Sequence, residues 1–171
     1  MTTLVLTSET LADTALIGQA MARHLPDSTV VSLTGTLGAG KTRLVQDLAV
    51  AVGVPERTVL SPTFVLCQTY QAERLIVHID AYRIHDTDEF ESLGLSEHFS
   101  SPALTLIEWG ERIQGSLPRQ FIQLTMTIMA DDSRLFTLAS RAPRFDPALL
   151  GIARDCESIR FPRPAKAPPL S

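Results

Sequence analysis

The chain is 171 residues long and carries 15 Lys+Arg against 19 Asp+Glu, a formal net charge of −4. That length suits one domain able to bury a core without disulfides or a structural metal. Residues 1–140 hold 9 basic and 16 acidic side chains, a net of −7, against 6 and 3 over residues 141–171, a net of +3. Lys41 and Lys166 are the only lysines, so the body lacks the basic face that broad nucleic-acid binding needs, while RNA met through a partner stays open.

The opening MTTLVLTSETLADT has no basic n-region and no long apolar stretch, so no signal peptide is expected. No segment approaches the roughly 18–20 uninterrupted apolar residues of a membrane span. Cys67 and Cys156 are far apart in sequence and read as reduced thiols of a cytoplasmic protein.

Residues 2–7 read as a short strand, and Thr7 or Ser8 as the cap of a helix running to about residue 25. Leu11, Ala15, Ile17, Met21 and Leu25 fall near helical spacing. Pro26-Asp27 is a turn. Thr29–Thr34 is a β-branched run followed by a glycine-rich segment, and a helix then runs from near Lys41 to a left-handed cap at Gly53. Thr63–Tyr70 alternates and Leu75–Asp80 is a second strand, so the two predict a hairpin around Glu73-Arg74. Asp86–Leu93 is a short acidic helix whose Asp86, Asp88, Glu89 and Glu91 form a solvated face. Ala103–Glu108 suits a buried strand. Residues 121–129 place Ile122, Leu124, Met126 and Ile128 on one face, and Asp131-Asp132 turns into Arg134–Leu138.

These elements predict an α/β domain over residues 1–140 with a mixed parallel/antiparallel sheet. From Arg141 onward come six of the eleven prolines, which predict an extended or disordered basic tail with at most a helical turn around 147–153. That tail reads as a solvated appendage before it reads as an arm for a partner or RNA.

Gly35-Thr36-Leu37-Gly38-Ala39-Gly40-Lys41-Thr42 matches G-x-x-x-x-G-K-[ST] in full. Glycines let successive N–H groups turn inward around a polyphosphate, and the helix that follows adds its positive end. Lys41 then reaches the β/γ-phosphates, and the Thr42 hydroxyl suits Mg²⁺. The predicted strand and helix on the correct sides set this apart from a chance glycine turn. The sequence holds no asparagine, so the N-K-x-D guanine reader is absent and an adenine nucleotide is the default.

Carboxylates at strand ends complete such a site. Glu108 ends ALTLIE in the manner of a Walker-B acid, and Asp80 ends LIVHID as a metal-shell ligand or water orienter, or else as a cap on the following turn. Trp109, the sole tryptophan, either stacks near a base or is a packed aromatic. His78 reads as a hydrogen-bonded core histidine, and His24, His85 and His98 show no metal spacing.

Four stretches in order, LTGTLGAGKT (33–42), SPTF (61–64), HIDAYRI (78–84) and IEWGER (107–112), resemble the TsaE (YjeE) family of small bacterial P-loop ATPases required for threonylcarbamoyladenosine modification of tRNA. The likeness covers about residues 1–140. It implies a three-layer P-loop NTPase-like fold with a mixed sheet, MgATP, and work with the TsaB and TsaD proteins. In that family the ATP cycle supports TsaD-catalysed transfer to the adenosine beside the anticodon. The tRNA is therefore met indirectly, through the complex.

By position, the resemblance puts Gly38 to Thr42 on the phosphates, with Thr42 and Glu108 on Mg²⁺. It puts Asp80 in the nucleotide site, Thr63 in a switch-like loop near the γ-phosphate and Trp109 beside the nucleotide. Thr10 and Leu11 would line the base, and Arg134 would be a basic residue near the nucleotide. Two departures stand out: Thr36 replaces the family's usual aspartate, and the tail after 141 lies outside the shared region. Slow hydrolysis is expected of the protein alone, because a P-loop without a second positive group compensates transition-state charge poorly. Arg83 is an internal candidate for that charge, or a partner for the acids of 86–91. The competing readings are a small-molecule or nucleoside kinase and a module that uses ATP as a conformational signal.

Overall fold

The structure, a computed structural model, describes residues 2–59 and 65–161. In chain order its elements are β1 (Thr3–Ser8), α1 (Leu11–His24), β2 (Thr29–Thr34), α2 (Lys41–Ala51), β3 (Cys67–Gln71), β4 (Leu75–Asp80), α3 (Thr87–Ser92), β5 (Leu104–Glu108), β6 (Ile122–Ile128), β7 (Arg134–Ser140) and α4 (Asp146–Asp155). The strands form one sheet in the order β1-β7-β6-β2-β5-β4-β3. Strands β6, β2, β5 and β4 are parallel, while β1–β7, β7–β6 and β4–β3 pair antiparallel. This is the mixed sheet expected, with β2 at its centre.

Alternation along the strands separates two cores. Leu6, Val31, Leu33, Leu106, Leu124 and Leu138 pack with Ile17, Leu44, Leu48, Leu149 and Ile152 of the helices α1, α2 and α4. Val30, Val77, Ile79 and Ile107 belong to a second core with Ile84, Phe90 and Ile113. Helices thus cover the sheet in a three-layer arrangement. On β4 and β5 the residues between those of the second core are His78, Asp80 and Glu108, which the same parity turns toward α2.

Several boundaries differ from expectation. Helix α1 is capped by Thr10, not by Thr7 or Ser8, which pair in β1 with Leu135 and Arg134. The Thr10 hydroxyl accepts the Asp13 N–H at 3.1 Å while the Asp13 carboxylate accepts the Thr10 N–H at 3.0 Å, a capping box. Leu11 is consequently exposed at the helix start instead of lining the core. Helix α2 ends at Ala51, with Gly53 at φ +91 as expected of a left-handed cap. Strand β3 starts at Cys67 because Leu66 turns the backbone to φ +63, and residues 60–64, which include Thr63, lie outside the described residues.

The reading of an extended tail gives way over residues 141–161. Helix α4 runs for ten residues, and Phe145, Leu149, Ile152 and Cys156 are completely buried. Pro147 stands in its first turn, where a missing N–H costs nothing, so the proline bias concealed a helix start. Gly151 permits the approach of α1, since a Cβ there would lie 2.4 Å from the His24 ring. Asp155 accepts from Arg23 at 2.7 Å and contacts His24 Nε2 at 3.0 Å. Past α4 the chain returns to β1, where Leu6 bridges Arg160 and the Phe161 N–H donates to the Val5 carbonyl at 3.0 Å. Both cysteines are free, and burial pushes the Cys156 thiol up to about 12. No helix among the described residues is long and apolar enough to cross a membrane.

Candidate functional site

The loop 35–40 joins β2 to α2 at the carboxyl end of the parallel strands, where ligands of open α/β sheets bind. Gly35 lies against β6, and a Cβ there would sit 2.4 Å from the Met126 carbonyl oxygen. Gly40 caps α2 at φ +102, a left-handed conformation that side chains disfavour. Sterics thus dictate the outer glycines of the motif.

Lys41 is buried. Its Nζ donates to the carbonyls of Gly35 at 2.7 Å and Thr36 at 3.1 Å, and lies 3.7 Å from the centre of the Trp109 ring. Burial holds the ammonium below its usual 10.5, opposed by the carboxylates of Glu108, Glu111 and Asp80. The Thr36 side chain is exposed; the contact runs through its backbone.

The Thr42 hydroxyl lies 2.7 and 2.9 Å from the two oxygens of Glu108. Glu108 is 3% exposed and also meets His78 Nε2 at 2.9 Å. Asp80 pairs directly opposite Glu108 across β4 and β5. Its Oδ1 accepts the Tyr82 N–H at 2.9 Å, so it does cap the following turn while facing the same cavity. Trp109 takes a left-handed φ of +59 that swings its ring under Lys41, with Tyr82 at 5.0 Å between ring centres.

Two cavities meet at the loop. One, of about 400 Å³, is lined by Leu37, Gly38, Gly40, Lys41, Thr42, Arg43, Asp80, Tyr82, Glu108 and Trp109. The other, of about 210 Å³, is lined by Ser8, Glu9, Thr10, Leu11, Thr14, Gly38, Ala39, Gly40, Arg43, Met126 and Arg134. The structure therefore brings Thr10, Leu11 and Arg134 together beside the loop and keeps Trp109 with the Lys41–Glu108 group. Arg134 reaches this place because β1 and β7 pair with Ser8 opposite Arg134; its guanidinium donates to the Asp132 carbonyl.

Sequence reasoning passed over Ser8, Glu9, Thr14, Arg43 and Met126. Arg43, directly after the motif, was the one with a local signal; it forms an ion pair with Asp47 at 2.8 Å. Arg83 is exposed and lines neither cavity.

Thr42, Glu108 and Asp80 present a hydroxyl and two carboxylates, the hard oxygen donors that magnesium takes. Among the described residues no group of three or more His, Cys, Asp or Glu is arranged to hold a metal. Magnesium at a nucleotide site does not need one, since substrate phosphates supply part of its shell.

A glycine loop between a central parallel strand and a helix, with lysine, threonine and a facing carboxylate, makes this a P-loop NTPase-like fold. Comparison with known proteins narrows the class. The family profile "Threonylcarbamoyl adenosine biosynthesis protein TsaE" matches residues 8–136, and the chain belongs to the TsaE family of tRNA threonylcarbamoyladenosine biosynthesis. It is 36% identical over 132 residues to the TsaE protein of Treponema pallidum, covering 77% of this chain and 97% of that one. With the TsaE protein of Bacillus subtilis it shares 34% over 135 residues, 78% of this chain and 84% of that one. The crystal structure of Bacillus subtilis YdiB superposes with a TM-score of 0.78 at 27% identity, covering 90% of this chain and 95% of that one.

Proposed function

We propose that this protein binds MgATP and hydrolyses it slowly in support of the threonylcarbamoyl transfer complex that modifies the adenosine beside the anticodon, with TsaB and TsaD as partners. The observation that carries the reading is the Thr42–Glu108 pair at 2.7 Å, next to Lys41 and opposite Asp80. ATP laid across the loop places its base in the cavity of Thr10, Leu11 and Arg134 and its phosphates in the cavity of Lys41 and Glu108. Lys41 leaves the Gly35 and Thr36 carbonyls for the phosphate oxygens, while the N–H groups of 38–42 and the start of α2 face the same anion.

Thr42 and Glu108, with Asp80 beside them, would hold the magnesium ion, which supplies charge neutralisation at the β- and γ-phosphates. Asp80 and Glu108 are also the acceptors within the cavity that can orient a water. Beyond Lys41, the one guanidinium lining the phosphate cavity among the described residues is that of Arg43, already paired with Asp47. Transition-state charge is therefore under-compensated in the isolated chain, and a second positive group from a partner raises the rate.

Co-purification with TsaB and TsaD, with and without ATP, tests the reading. ATP-dependent association supports it. No association in either state, with both partners folded, overturns it, and so does phosphorylation of a nucleoside offered with MgATP.

A further inference from the structure

We infer that His78 is a positioning residue that fixes which oxygen of Glu108 is offered to magnesium; the inference rests on the MgATP reading. Strand register creates the contact. Asp80 stands opposite Glu108 on the parallel pair β4–β5, so His78, two residues back on the same face, lies diagonal to Glu108. The His78 side chain has no exposed surface, and Nε2 is 2.9 Å from Glu108 Oε1. An ionised carboxylate only accepts, so Nε2 carries the proton and donates.

The other ring nitrogen, Nδ1, is buried and has no hydrogen-bond partner among the described residues. Leaving such an atom unpaired costs about 1–3 kcal/mol, a cost that an apolar residue would avoid. Among the described residues the imidazole's one polar contact is thus the bond to Glu108, and stability alone does not account for a histidine here.

The two groups on Glu108 act differently. Thr42 has one proton to share between Oε1 at 2.7 Å and Oε2 at 2.9 Å. His78 donates to Oε1 alone. Oε1 is therefore the more heavily bonded oxygen, and Oε2 keeps the lone pairs that a hard cation or its water takes. Without His78 the carboxylate is free to rotate or to present either oxygen. Donors that orient metal-binding carboxylates in this way are worth roughly 10–100-fold in metal affinity.

The test is ATP binding by calorimetry in EDTA and across a Mg²⁺ series, for the unaltered protein, His78→Gln and His78→Leu. Gln keeps an N–H donor at the Nε2 position; Leu has none. For Leu the Mg²⁺ concentration at half effect is expected to rise about 10–100-fold with EDTA-state affinity unchanged, while Gln restores most of the loss. An unaltered Mg²⁺ requirement in Leu overturns the inference, as does an equal loss of binding with and without Mg²⁺. Absence of any Mg²⁺ dependence in the unaltered protein instead overturns the MgATP reading and the inference with it. Should Leu fail to fold, ¹⁵N-histidine NMR of the unaltered protein decides. A proton on Nε2 of His78 in the MgATP complex supports the inference, and the neutral tautomer protonated on Nδ1 alone overturns it.

Discussion

Lys41 has its charge satisfied within the chain itself, by two backbone carbonyls and the face of Trp109. Burial still lowers its proton affinity, so folding favours the neutral amine relative to the unfolded chain. Between the lowered folded value and 10.5 the unfolded state binds more protons, and stability rises with pH through that window; below it the full cost of burying the charge is present. Lys41→Met is therefore expected to reduce ATP turnover by about a hundredfold or more, as loss of a main transition-state electrostatic group does. Its thermal midpoint at neutral pH should not fall, and its alkaline stability profile should flatten. Turnover assays and thermal melts from pH 7 to about 10.5 check both.

At this scale the motif residues were legible because each is constrained locally: glycines by backbone angle, Lys41 and Thr42 by spacing, Glu108 by ending an apolar run. Arg134 and Ser8 were not legible as a pair, since the β1–β7 register alone makes them neighbours. His78 was read correctly as a hydrogen-bonded core histidine. Its partner needed the β4–β5 register, which no local pattern encodes. Gly110, in IEWGER, shows the same limit: a Cβ there would lie 2.1 Å from the Ser32 Oγ, a contact set by how the turn after β5 folds over β2.

Among the elements, β2, α2 and β5 followed from apolar runs bounded by glycines and a terminal acid, whereas α4 was lost to composition. Proline counting treats Pro147 as a breaker, although at the first turn it is a starter. Helix α4 is held to α1 through Asp155. His24 first, then Arg23, keeps the Asp155 carboxyl below its usual 3.8. A depressed carboxylate contributes stability above the unfolded value and loses it as pH falls through the folded one. Asp155→Ala is expected to lower the thermal midpoint at neutral pH, and its gap from the unaltered protein should close below pH 3.8. Melting curves of both proteins from pH 7 downward check this.

For the whole molecule, the family match ends at residue 136, yet the folded body continues to Phe161. Phe145, Leu149 and Ile152 are buried against the helical face of the sheet. Each is worth about 1.5–3 kcal/mol of transfer free energy, set against a total stability of about 5–15 kcal/mol for a domain. A chain ending at Ser140 is therefore expected to lose its cooperative thermal transition. One ending at Phe161 should melt close to the full chain; calorimetry on the two truncations reads the difference.

One of the two edge strands, β1, has its free side met by Arg160 and Phe161. An open strand edge invites cross-molecular pairing and fibrillar stacking. Here the chain's own Arg160 and Phe161 occupy part of that edge, so concentrated protein is guarded against self-templated sheet growth on this side.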